Sequence, residues 1–551
     1  MSASPVPSEK SSLRKVLVLG IDGATFDIIE PMAEAGRLPV ICRLMNEGAW
    51  GKMESTIPPV TIPAWVSMTT GKNPGKLGFY DLLRREGYGV EPNSSCFKNT
   101  SPVWKILNRY GVSTGVMNVP GTYPPDEVDG FMVTGMMTPS KRYGFSYPPT
   151  LGADLESNVR EYEIDLPYWQ YFDEGTFVKD LYTVTEKRGL AAEYLIGHIP
   201  CEFYMVVFTS SDRLHHLMWN HRDVVEAYWE ELDRVLGRVL EHFGDDATVF
   251  MVSDHGFASL ERTFYVNEWL NKQGFLKVKP QLIKRTFVKF GRFVEGIYHF
   301  LCEMKLVKPL VNFLNMVLGL DTISKYFYSY LSNMNLESRV KWDKTKAFSC
   351  VHTSEFGHIY INLEGKMKDG FVSKTERDLL VDRIIEELHV LPGVSKGDTS
   401  RVEAWKAEDI YNGPYVESAP DIVFSIDGGK CEIDAKVGEG RIFADGAPLK
   451  SWTGTHVRDG VFIACGPKIK KNFRFEGASI MDVAPTVLKL FGVPHNNEMD
   501  GRVLDEIFRE DIVFIEKKQL VEVADGDHDV IALTPREKAL VEARLKKLGY
   551  V

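Results

Sequence analysis

KVLVLGID, residues Lys15–Asp22, is the stretch on which the fold turns. It is an apolar run ending on an acid, and a run this apolar suits a strand buried on both faces, as in parallel sheets covered by helices. The pattern returns twice. FYMVVFTSSD (Phe203–Asp212) and TVFMVSDHG (Thr248–Gly256) are apolar runs that lead into Asp212 and Asp254. Helical periodicity follows over Asp27–Glu47 and Asp223–Phe243, and SPVWKILNRYG with VSTGVMNV (Ser101–Val119) adds a helix and a strand. GVFIACGP (Gly460–Pro467) and IMDVAPTVLKLFG (Ile480–Gly492) supply a last strand and helix. Such alternation predicts an α/β fold with a mainly parallel sheet. In open parallel sheets ligands sit outside the carboxyl ends of the strands, so Asp22, Asp212 and Asp254 should share one rim.

A single strand-end aspartate usually caps the next helix. Histidines at short spacing make these three harder to dismiss. In SSDRLHHLMW, Asp212 and His216 are four apart, so a helical turn aims both at one point. Asp254 and His255 are adjacent in SDHG, and His456 in GTHVRDG adds a third imidazole. Upstream, IPPVTIPAWVSMTTGKNPGKLG (Ile57–Gly78) reads as an approach stiffened by proline, with Thr61 as helix N-cap and Pro63 in the first turn. The positive end of a helix suits a phosphate. Together these residues form a mixed N/O donor set that suits zinc or manganese better than calcium or a sulfur-loving metal.

Composition narrows the classes. The chain has 551 residues, 44% hydrophobic and 26% charged, the make-up of a soluble globular protein. A net charge of −11 argues against a general nucleic-acid binder. Seven scattered cysteines, none spaced CxxC, suit a reducing compartment rather than a disulfide framework. The polar start MSASPVPSEKSSLRK and the short apolar run after it lack a signal-peptide core, and no spanning apolar run occurs. The expectation is a cytoplasmic protein.

The motifs in order, GID (Gly20–Asp22), PPVTIPAW with TGKNPGKLG, DRLHH (Asp212–His216), SDHG (Ser253–Gly256), GTH (Gly454–His456) and DVAPTVLKLFGVP with MDG further on, resemble the alkaline phosphatase superfamily. Within it the chain is similar to the type I phosphodiesterase/nucleotide pyrophosphatase-like and phosphoglycerate-mutase-like branch, in particular to a prokaryotic group of predicted phosphohydrolases or phosphomutases. The resemblance runs from about Lys15 to about Leu504. It implies a three-layer α/β/α sandwich and two divalent metals, zinc first and manganese second. Asp212, His216 and His456 would hold one, and Asp22, Thr61, Asp254 and His255 the other. Two such ions ~4 Å apart clamp the attacking and leaving oxygens of an in-line displacement. Thr61 would be the nucleophile and pass through a phosphothreonine, with hydrolysis of a small-molecule phosphoester, diester or monoester, as the outcome. An alcohol in place of water would make the enzyme a mutase or transferase, and a scaffold that keeps the fold without turnover is the third reading.

The chain departs from its relatives at two points around Gly78. Nucleotide pyrophosphatases place an Asn a few residues after the glycine matching Gly78, whereas GFYDLL offers Asp81 or Leu82, and the position before that glycine, often His in relatives, is Leu77. No CxPxR sulfatase signature is present. Asp81 and Lys76 are candidate substrate contacts. So are Tyr168 and Trp169, from the aromatic-rich stretch Met137–Phe177 that either lines a pocket or packs a loop. His215 reads as support for the ligands. His352 and His358 read as ordinary strand histidines.

The expected organisation is a discontinuous core, 12–270 and 336–520, with an inserted basic amphipathic helical lid over 271–335 and a C-terminal linker and helix over 521–551. Between Asn271 and Leu310 there are nine Lys or Arg against two Glu. A helical lid explains this reversal, and peripheral contact with an anionic membrane is the alternative. TPREKALVEARLKKLG carries a capping box, Thr534 and Glu537, for the terminal helix.

Overall fold

Along the first strand, β1 (Val16–Ile21), Leu17, Leu19 and Ile21 enter one hydrophobic cluster while Val16 and Val18 enter another. Alternate residues of a strand point to opposite faces, so the central sheet is covered on both sides. The computed structural model describes residues 15–92, 100–166, 174–279, 336–350, 355–391, 402–446, 452–495, 497–519, and six residues between 534 and 541.

After β1 come α1 (Phe26–Glu34) and α2 (Pro39–Asn46). The helical periodicity over Asp27–Glu47 is met by two helices, because Gly36 takes φ +72° and Pro39 opens the second. Next are β2 (Gly48–Glu54), α3 (Thr61–Thr70), α4 (Val103–Arg109), β3 (Thr114–Met117) and β4 (Gly130–Val133). They are followed by α5 (Glu174–His198), β5 (Phe203–Phe208), α6 (Ser210–Met218), α7 (Arg222–Leu240) and β6 (Thr248–Val252). The core closes with β7 (Asp459–Cys465) and α8 (Val483–Leu490).

In the large sheet β6, β1, β5, β3 and β4 lie side by side and parallel. β7 runs antiparallel between β6 and β2. Helices α1, α2, α5 and α7 bury their apolar residues on one face, α4 and α8 on the other, and α3 divides between them, Ile62 and Val66 entering the first cluster and Ala64, Trp65 and Met68 the second. The result is a three-layer α/β/α sandwich with a mostly parallel sheet. Because Ile21 pairs with Phe208 and Gly20 with Val252, the residues just beyond these three strands meet at one edge.

A further hydrophobic cluster lies between Tyr88 and Val437 and has its own antiparallel sheet. Its strands, Ala347–Phe348, Phe356–Ile361, Ile422–Ile426 and Val402–Lys406, pack with the helix Lys374–His389. Both ends of the expected lid are anchored here. Phe275 and Leu276 are buried, Val278 bridges Val340, and the Lys279 amide donates to the Arg339 carbonyl at 2.8 Å. The apolar positions that define the lid, Leu282 through Leu301, lie outside the described residues, as does most of 521–551. Of the terminal segment, the Thr534 and Glu537 reciprocal bonds are present, Tyr123 donates to Glu537 at 2.7 Å, and Val541 is buried. Among the described residues no helix is long and apolar enough to cross a membrane.

One packing contact ties the sheet to the helix carrying Thr61. A Cβ on Gly20 would lie 2.4 Å from Trp65 Cη2 and 2.8 Å from Val207 Cγ2, so β1 and α3 approach this closely only through glycine. Gly20→Ala is expected to cost about 1–3 kcal/mol through overpacking, read as a lower urea midpoint; an unchanged midpoint would contradict this contact.

Candidate metal centre

Thr61 is the first helical residue of α3, and Val60 occupies the cap position. This corrects the expectation that Thr61 is the cap. A cap hydroxyl accepts from the second or third helical amide. With Thr61 as cap those would be Pro63, which has no N–H, and Ala64, whose N–H is already donated to Val60 O at 3.0 Å. The hydroxyl is therefore available elsewhere, and Thr61 Oγ1 lies 3.4 Å from His255 Nε2. Thr61 is buried, and its helix end leaves its first amides without intrahelical acceptors.

Asp212 and His216 lie one turn apart on α6, which starts directly after β5. His456 comes from the short strand Gly454–Val457, which pairs antiparallel with Gly256–Ser259 beyond β6. His456 Nε2 stands 3.0 Å from Asp212 Oδ1 and 3.0 Å from His216 Nε2. Beside it, His255 Nε2 lies 3.6 Å from Asp22 Oδ1 and 3.3 Å from Asp254 Oδ2. The His255 and His456 rings stack with centroids 3.7 Å apart, which sets the two groups against each other. In each group the three donor atoms lie within 4.8 Å of one another.

The outer hydrogen bonds fix which nitrogen faces inward. His216 Nδ1 is 3.2 Å from the Gly454 carbonyl and His255 Nδ1 3.2 Å from the Gly256 carbonyl. A carbonyl only accepts, so these nitrogens carry the proton and Nε2 of each offers its lone pair to the centre. His456 Nδ1 lies 3.5 Å from Glu355 Oε1. His215 is different: its Nδ1 donates to the Gly23 carbonyl at 3.1 Å and Trp229 Nε1 donates to its Nε2 at 3.0 Å. Both nitrogens are used, and burial pushes its pKa down to about 3, so His215 is neutral packing behind the ligands.

Burial dominates the electrostatics. It drives Asp22 well above the usual carboxylate range, with Asp254 and Asp212 adding repulsion, and it lifts Asp254 to about 7. Asp212 goes the other way, because His216 and Arg213 outweigh its desolvation. Burial lowers His216 and His255, whereas Glu355 and Asp212 overcome burial at His456 and raise it. Both oxygens of Asp22, and Oδ2 of Asp254, have no hydrogen-bond partner among the described residues. Bare buried carboxylate oxygens are costly, and divalent cations would satisfy them. The donor set of three carboxylates, three imidazoles and a hydroxyl fits that role.

The remaining candidates are placed as follows. Asp81 is buried, accepts from the Leu82 amide at 2.6 Å, stands 3.8 Å from His358 Nδ1, and is pushed up to about 7 by burial. Lys76 is not brought to the metal group: its Nζ binds Asp500 at 2.8 Å and the Glu498 carbonyl at 2.7 Å, pinning the MDG segment to the loop after α3. Tyr168 and Trp169 lie outside the described residues, as does His352, while Phe145 and Tyr162 from the same aromatic stretch are core residues. Sequence reasoning missed Glu355, Arg213 and Asp165. Arg213 sat in plain view inside DRLHH. The first turns of α6 are buried on all sides, which obliges an arginine there to find acids, but that burial is not written in the spacing.

Residues 16–430 match the family model of the type I phosphodiesterase / nucleotide pyrophosphatases. The chain belongs to this family. It is thus a phosphodiesterase/pyrophosphatase-family hydrolase of the alkaline phosphatase superfamily, a group typically dependent on divalent metals. Phosphonoacetate hydrolase from Sinorhizobium meliloti, in complex with phosphonoformate, shares the fold at TM-score 0.52 and 13% identity, over 86% of this chain and 94% of that one. Human ectonucleotide pyrophosphatase / phosphodiesterase 5 aligns at TM-score 0.45 and 14% identity, over 88% and 97% of the two chains. No curated protein sequence matches.

Protonation of Asp254 gives this phosphodiesterase-family chain a testable pH signature. In the metal-free protein its folded pKa of about 7 exceeds the usual 3.8, so between these values the folded state holds a proton that the unfolded state has released. Its contribution to stability is present below about pH 4 and lost as pH rises toward about 7. In excess chelator, Asp254→Asn should therefore gain thermal midpoint relative to wild type as pH goes from 4.5 to 8. A difference that is independent of pH would contradict the assignment.

Proposed function

We propose that the chain is a divalent-metal-dependent phosphoric ester hydrolase that works through a covalent phosphothreonine at Thr61. The observation that carries this reading is the buried Thr61 hydroxyl, 3.4 Å from His255 Nε2, at a helix start beside two groups of metal-type donors. Asp212, His216 and His456 would hold one ion, and Asp22, Asp254 and His255 with Thr61 the other. Bound there, such ions lower the pKa of a hydroxyl or water and neutralise charge on the phosphoryl oxygens.

The chain's own groups do the rest. Thr61 Oγ1 loses its proton and forms the new P–O bond as the ester oxygen leaves and takes up a proton. Water then attacks the phosphothreonine and restores the hydroxyl. The positive end of α3 favours the anion during both steps. The strand edges hold Asp22 and Asp254 fixed, and Gly23 N–H donates to Asp254 Oδ1 at 3.2 Å, leaving Oδ2 toward the centre. The family favours a diester or pyrophosphate substrate over a monoester, and Asp81 or Leu82 where nucleotide pyrophosphatases have Asn weakens a specific claim for nucleotide diesters.

With zinc or manganese added, the enzyme should release p-nitrophenol from the bis-p-nitrophenyl ester faster than from the monoester. Thr61→Ala should lose activity on the order of 10³-fold or more, Thr61→Ser should retain a measurable fraction, and acid quench should trap phosphate on the peptide containing Thr61. Full activity in Thr61→Ala would sink the covalent route, and no activity on either ester would favour the scaffold.

A further inference from the structure

Behind the metal centre runs a row of buried polar side chains that no catalytic step uses. Arg213 is fully buried, and its Nη1 donates to Asp212 Oδ2. Its Nη2 donates to Asp165 Oδ2 at 3.1 Å. Asp165 is itself held: its Oδ1 accepts from the Leu166 amide at 3.0 Å and from the Thr209 hydroxyl at 3.2 Å. That hydroxyl accepts in turn from Arg188 Nη1 at 2.8 Å, and Arg188 Nη2 donates to the Ile164 carbonyl at 2.5 Å. Arg188 reaches in from the long helix α5, so the row connects that helix to a metal-type donor without a solvent-exposed link.

This row divides the two oxygens of Asp212. Oδ1 faces His216 Nε2 at 3.4 Å and His456 Nε2 at 3.0 Å, while Oδ2 is taken by the guanidinium. The other group is built differently, since among the described residues Asp22 has both oxygens without a hydrogen-bond partner and Asp254 has one. Two arginines and two aspartates alternate along the row, so its formal charge cancels, and a planar fork holds two carboxylates in a fixed geometry that an ammonium on a flexible stem does not impose.

We propose that Arg213, oriented by Asp165, is a positioning residue that restricts Asp212 to one-oxygen ligation in the Asp212, His216, His456 group. This rests on the two-metal reading above. It follows that the fork, rather than the positive charge alone, sets the affinity of that one group and leaves the Asp22, Asp254, His255 group unaffected. Arg213→Lys keeps the charge and loses the fork, so Asp212 Oδ2 is no longer held away from the ion beside Oδ1. Asp165→Asn keeps the shape but turns one of two accepting oxygens into an N–H donor, so the fork loses its anchor and Asp212 its fixed orientation.

The test is zinc titration of the full chain against a chromophoric chelator, with circular dichroism to establish folding. Wild type is expected to hold two ions. Each variant should hold one ion as tightly as wild type and the other about 10–100-fold more weakly. The visible bands of the cobalt-loaded Arg213→Lys protein should weaken, because a two-oxygen carboxylate raises the coordination number of a tetrahedral ion. Wild-type affinity at both sites in a folded variant overturns the proposal. Equal weakening of both sites also overturns it, because it marks a merely structural role. Should Arg213→Lys fail to fold, the isosteric Asp165→Asn decides by the same criteria. Wild type that binds no zinc overturns instead the metal reading beneath the proposal, and that result is visible before any variant is made.

Discussion

Three aspartates with no access to water, gathered at the common end of three strands, are the constraint on which the structure depends. Asp22, Asp212 and Asp254 are all fully buried. Bringing them together costs desolvation and mutual repulsion, which the apolar strands leading to them must offset. This is why Val16–Ile21, Phe203–Phe208 and Thr248–Val252 are buried at every residue, and why the sheet needs a helical layer on each face. It is also why the oxygens of Asp22 and Asp254 that have no hydrogen-bond partner among the described residues are informative: they are the donors a divalent cation would satisfy.

The surrounding residues divide between those that offer atoms to the centre and those that aim them. Carbonyls of Gly454 and Gly256 fix the tautomers of His216 and His255, Glu355 faces the far side of His456, and Arg213 holds one oxygen of Asp212. His215, next to a ligand-type histidine in sequence, belongs wholly to the second set, its two nitrogens spent on Gly23 and Trp229. Thr61 enters the first set because Pro63 and the Val60–Ala64 bond leave no amide for its hydroxyl to cap.

Much of this was legible in the sequence because it depends on short-range pattern. Apolar runs ending on an acid gave the parallel strands, and four-residue spacing put Asp212 and His216 on one face of a helix. The shared edge followed from topology. What stayed hidden depends on tertiary burial or long-range contact. Spacing could not show that Asp27–Glu47 is two helices, that Lys76 is tied to Asp500, or that Arg213 reaches Asp165, 48 positions away. The aromatic stretch shows the same limit: Phe145 and Tyr162 have the composition of a pocket lining but pack in the core.

The most direct measurement of the central claim is anomalous diffraction from crystals of the full chain grown with zinc or manganese. Two peaks are expected, one among Asp212, His216 and His456 and one among Asp22, Asp254 and His255 with Thr61 at its edge. An empty centre at saturating metal, or ions bound only elsewhere, would contradict the account.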